Sequence, residues 1–85
     1  MNIDLLIKMA NDISSYFAAE PDQEQAAQEV ARHLRRYWEP RMRRQLIGYY
    51  QERRGAGLSD LALRGVALLA AAEPREEPQQ AAAPP

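Results

Sequence analysis

The sequence predicts an all-α fold: a small bundle of three to four short helices followed by a disordered C-terminal tail. Three observations carry this. Apolar residues recur at helical spacing through several segments, Pro and Gly punctuate the chain at 21, 40, 55 and 57, and no stretch alternates as a strand does. The 85 residues make one domain at most. A chain this short buries only ~60% of its unfolded surface, so its own core is small.

The first helix is expected over Ile3–Phe17. Leu5, Tyr16, Met9, Ile13, Leu6, Phe17, Ala10, Ile3 and Ile7 project into one arc of about 200°, wide enough to touch two neighbours. Asp4, Lys8, Asn11, Asp12 and Ser15 fill the opposite side. Pro21 then breaks the chain, and Asp22 with Gln25 three residues later resembles a capping box. The second helix runs from there to about Trp38. Val30, Leu34, Tyr37, Trp38, Ala27 and Ala26 project to one face, while Arg32, Arg35 and Arg36 project to the other. Pro40 disfavours α geometry at Glu39, so the chain turns there.

Pro40 can itself open a third helix, from Arg41 to about Arg54, with Met42, Leu46, Ile47, Tyr49 and Tyr50 on its apolar arc. Gly55-Ala56-Gly57 supplies a glycine stop. Ser59 is a suitable N-cap for a fourth helix, and Leu58 and Leu63 stand at hydrophobic-staple spacing. From Leu61 to Ala72 the sequence is apolar almost all round, broken by Arg64 and Gly65. Such a helix lies buried, and the remainder that a short chain cannot cover is expected to meet another protein. Residues 1–72 thus form the helical domain. Residues 73–85, EPREEPQQAAAPP, have the composition of a disordered tail.

Composition narrows function by exclusion. There is no cysteine, hence neither a disulfide framework nor a thiolate metal site. No run approaches the ~18 apolar residues of a membrane span, and the N-terminus lacks the basic region of a signal peptide. These features point to a soluble, cytoplasmic protein. His33 is the single histidine, with Glu29 one turn before it. No third ligand accompanies them, whereas a catalytic zinc site needs three, so His33 is read as a packed or surface residue. Ser14, Ser15 and Ser59 are placed for backbone or capping bonds, and the glycines at 48, 55, 57 and 65 match no phosphate loop. No catalytic, cofactor-binding or metal-binding residue is assigned, and the chain is not expected to be an enzyme by itself.

The net charge of −1 conceals an asymmetry. Between Arg32 and Arg54 eight arginines face only Glu39 and Glu52, a local balance of +6. Arginine offers a planar fork that pairs bidentately with carboxylates and stacks on rings. Basic residues interleaved with Tyr37 and Trp38 could contact phosphates and bases, so a small nucleic-acid-binding protein using Arg32–Arg54 is the alternative. The acidic remainder of the chain favours a protein interface instead. Tryptophan, tyrosine and arginine are also the residues enriched at protein docking sites. A homo-oligomer burying the fourth helix on itself is a third possibility.

Two segments then identify a resemblance. LIKMANDISSYF near the N-terminus and HLRRYWEPRMRRQL after the proline break resemble the small delta subunit of soluble NAD-dependent formate dehydrogenases. The similarity covers roughly residues 3–69, and Lys8-Met9-Ala10-Asn11 and Trp38-Glu39-Pro40-Arg41-Met42 are its most specific pieces. The resemblance implies an accessory subunit of a complex that oxidises formate to carbon dioxide and reduces NAD. In such complexes the alpha subunit carries a molybdenum or tungsten pterin cofactor and iron–sulfur clusters. The beta and gamma subunits carry FMN, further clusters and the NAD site. The delta subunit holds no cofactor and is associated with assembly, cofactor loading or stability. Partner-binding candidates are Arg35, Arg36, Trp38, Glu39, Pro40, Arg41, Arg43 and Arg44. Trp38 and Pro40 would shape and anchor the corner, and the arginines would pair with carboxylates of the large subunit. Met9 and Asn11 are read as structural, with Asn11 able to reach a neighbouring backbone group.

Overall fold

The computed structural model describes residues 2–72; the tail expected over 73–85 lies outside them. Four helices follow one another: α1 (Ile3–Phe17), α2 (Gln23–Tyr37), α3 (Pro40–Arg53) and α4 (Asp60–Ala72). No strand occurs among the described residues.

Each boundary has a local chemical cause. Asn2 caps α1 through its side chain, which accepts from the Asp4 N–H at 2.8 Å. Asp22 Oδ1 accepts from the N–H groups of Glu24 and Gln25 at 3.1 and 3.2 Å and opens α2. The reciprocal half of a capping box is absent: Gln25 Nε2 donates instead to Glu29 at 2.9 Å, and the Asp22 N–H is taken by Glu20 Oε2 at 3.1 Å. Pro40 occupies the first turn of α3, where its missing N–H costs nothing. The glycine stop falls one residue late. Arg54 already adopts the left-handed conformation (φ 59°), and Gly55 and Gly57 continue it. Gly55 has φ 72°, which strains any side chain, and a Cβ there would stand 2.6 Å from Leu63 Cδ2 and 3.1 Å from Leu58 Cδ1. Leu58 and Leu63, the expected staple, therefore close together over this glycine. Ser59 Oγ accepts from the Ala62 N–H at 3.2 Å and starts α4.

Helix α4 is the centre of the bundle. It packs against all three other helices and most extensively against α2. Leu61, Ala62, Gly65, Val66 and Leu69 are buried on it, opposite Ala26, Ala27, Val30 and Leu34 of α2. Small residues on both helices let the axes approach. A Cβ on Gly65 would stand 2.5 Å from Val30 Cγ1. The remainder expected to be left on α4 for another protein is small. Three helices wrap it, and Leu68, 39% exposed, is its one exposed large apolar residue among those described.

Helix α1 contributes Leu6, Ala10 and Ser14 to the interior. The Ser14 hydroxyl is satisfied by donating to the Ala10 carbonyl at 2.9 Å. One edge of the predicted apolar arc stays outside the core: Leu5 and Tyr16 are exposed. Asn11 ties α1 to the turn before α4, donating to the Gly57 carbonyl at 3.0 Å and accepting from the Ser59 N–H at 2.8 Å. That is the backbone reach expected of it, and it fixes where the α3–α4 turn sits.

Candidate docking surface at the α2–α3 corner

The corner is built by a change of backbone state over two residues. Trp38 is the C-cap of α2 (φ −88°, ψ 143°) and Glu39 the N-cap of α3 (φ −66°, ψ 150°); both are extended, as a residue before proline must be. The Trp38 N–H still closes the last turn of α2 on the Leu34 carbonyl at 3.0 Å, and the Arg43 N–H opens α3 on the Glu39 carbonyl at 3.1 Å. A helix end leaves carbonyls without partners. Arg43 supplies a donor to them: its Nη1 donates to the Trp38 carbonyl at 2.7 Å and the Arg35 carbonyl at 3.1 Å.

The candidate residues divide accordingly. Trp38 is 6% exposed and belongs to the hydrophobic core, so its side chain holds the corner from inside. Arg43 is half-buried and serves the corner itself. Arg35, Arg36, Glu39, Pro40, Arg41 and Arg44 are exposed. The placement of Tyr37 is a correction. Helical projection put it beside Val30 and Leu34, yet it is 67% exposed and Trp38 takes the inward position. Tyr37 is the last residue of α2, and its ring packs back on His33 one turn earlier instead of inward.

Tyr37 belongs to a set of rings that sequence reasoning left unassembled. Tyr16 meets Phe17 edge-on at 5.0 Å between centroids, Phe17 lies 6.3 Å from His33, and His33 lies 4.8 Å from Tyr37. The Arg36 guanidinium sits 5.8 Å from the Tyr37 ring centre. His33 is thus a packed surface ring. Its spacing one turn after Glu29 and one turn before Tyr37 was the available signal, since residues four apart share a helix face. No group of three or more His, Cys, Asp or Glu residues is gathered to hold a metal ion among the described residues. None of their helices is long and apolar enough to cross a membrane.

The fold and this surface define a class: a small all-helical chain with a rigid, arginine-rich corner and an exposed aromatic strip beside it. The model of one protein family, the NADH-dependent formate dehydrogenase delta subunit FdsD, matches residues 5–66. The chain belongs to that family of formate dehydrogenase subunits. Neither the curated proteins nor the solved structures contain a significant match to it. The matched span takes in most of α1, all of α2 and α3, and the first half of α4, and so includes the whole corner.

Proposed function

We propose that the chain is a non-catalytic accessory subunit of a cytoplasmic, NAD-dependent formate dehydrogenase. It docks on the large subunits and serves the assembly, cofactor loading or stability of the complex. The pterin, iron–sulfur and flavin groups would reside in those partners and not in this chain. Family membership supports the complex, and one structural observation supports docking: exposed arginines are carried by a corner that the chain has stiffened from within. Buried Trp38 and the Arg43 clamp fix how Arg35, Arg36, Arg41 and Arg44 are presented. A backbone already set in place spares the ordering cost of the segment that carries these arginines.

The test is co-expression with the enzyme's other subunits. The chain should co-purify with the large subunit, and the isolated chain should show no formate-dependent NAD reduction. Combined Arg35→Ala, Arg36→Ala and Arg41→Ala substitutions should weaken association without lowering the thermal midpoint. Association indifferent to these changes counts against the corner as the docking site. Nucleic-acid binding whose affinity falls steeply with salt would favour the alternative use of the basic region.

A further inference from the structure

Helix α2 has a solvent-facing ridge with a shallow groove on each side, and Arg32 lines both grooves. On the α1 side the groove, about 170 Å³, runs along Phe17, His33 and Tyr37 and is edged by Arg36. On the α4 side a groove of about 310 Å³ is floored by Ala31 and Leu68 and edged by Arg35. Three of the four exposed large apolar side chains among the described residues, Tyr16, Tyr37 and Leu68, belong to these grooves or to the ring series that ends in one of them. Tyr16 and Tyr37, 80% and 67% exposed, end the ring ladder, and Leu68 marks the opposite groove.

The ladder restrains these rings before any partner arrives. Each has the next as a neighbour, which reduces the rotamer freedom to be lost on binding. Tyrosine and arginine in such a cluster are the usual composition of a docking centre. The charge of the ridge states what complements it. Among the described residues neither Arg35 nor Arg36 is in an ion pair, and Arg32 has only Glu29 at 3.8 Å. That carboxylate also accepts from Gln25 at 2.9 Å. The ridge is therefore net positive and calls for an anionic partner, which on the subunit reading is a carboxylate-bearing protein segment.

We propose that α2 is the recognition helix of this subunit. It docks an acidic segment of the formate dehydrogenase large subunit, with carboxylates on the Arg32–Arg35–Arg36 ridge and apolar side chains in the flanking grooves. This rests on the subunit reading above. It moves the centre of contact from the corner onto the face of α2 and adds Arg32, Tyr16, Tyr37 and Leu68 to it.

The test uses the full chain co-expressed with the other subunits. Three variants are compared with wild type: Tyr16→Ala with Tyr37→Ala, Arg32→Glu with Arg36→Glu, and Lys8→Ala with Asp12→Ala as a control on the exposed face of α1. The first two should each lower the recovered large subunit by about tenfold or more, as loss of a docking centre does, with the control unchanged. A photo-reactive phenylalanine analogue at position 37 should crosslink to a peptide of the large subunit rich in Asp and Glu. If both variants stay helical and co-purify like wild type, the inference is overturned and the subunit reading stands. Crosslinks to a second copy of the chain or to nucleic acid overturn it as well. A wild-type chain that fails to co-purify overturns the subunit reading and this inference together.

Discussion

Arg43 Nη1 donates to the carbonyl oxygen of Trp38 at 2.7 Å, so the first turn of α3 holds the C-cap residue of α2. The same nitrogen reaches the Arg35 carbonyl at 3.1 Å. This one nitrogen carries two N–H donors, so it can serve both carbonyls at once. Arg43→Ala should lower unfolding free energy by about 1–3 kcal/mol, since it strands partly buried carbonyls. Arg43→Lys should recover only part of this, as an ammonium can donate to both carbonyls but sits on a shorter, more flexible stem. Urea denaturation of the three proteins measures both effects.

Trp38 should behave as a core residue. Its truncation to alanine is expected to cost about 3–5 kcal/mol, the range for large aromatic side chains removed from an interior. Most of a small domain's stability would go with it. Trp38→Phe should be much milder. Trp38 is the chain's single tryptophan, so its emission should be blue-shifted in the native protein and move red on unfolding, and it reports the loss directly.

Two glycines inside helices should respond with opposite signs. A methyl group at Gly65 would meet Val30 Cγ1 at 2.5 Å and its Cβ at 2.8 Å. Gly65→Ala should therefore destabilise by about 1–3 kcal/mol despite the gain in helix propensity. At Gly48 nothing lies within 4 Å of such a methyl, and Gly48→Ala should stabilise by about 0.5–1 kcal/mol. Thermal midpoints of the two variants should fall on either side of wild type.

Asn11 should matter beyond its exposure. Alanine there removes both bonds to the turn before α4, at Gly57 and Ser59, for about 1–3 kcal/mol in total. Asn11→Asp keeps the acceptor for the Ser59 N–H but sets a carboxylate against the Gly57 carbonyl, so it should rescue little. Hydrogen exchange at the Ser59 amide should quicken in both variants.

The helix pattern was legible wherever local chemistry set it. The bounds of α1, the Asp22 cap, the turn at Pro40 and the reach of Asn11 all follow from residues close in sequence or from a face and its edge. What resisted were consequences of tertiary geometry. The inward face was right for Trp38, but Tyr37, at the last position of α2, lies outside the core and packs on His33. Arg43 looked like the other arginines, because only the fold of the corner brings α2's carbonyls to it. Helix α4 looked under-covered, because close approach at Gly65 and wrapping by three short helices cannot be read from any one of them.

Along α2 the acidic residues Glu20, Asp22 and Glu24 stand at or just before the start, and Arg32, Arg35 and Arg36 toward the end. This order complements the helix's own peptide dipole at both termini. It also gives the subunit two poles of opposite sign about 20 Å apart, from the rise of a helix this long. In the field of an acidic partner such a body turns before it touches. Complex formation should then be fastest at low ionic strength and slow with added salt, chiefly through encounter and not through dissociation.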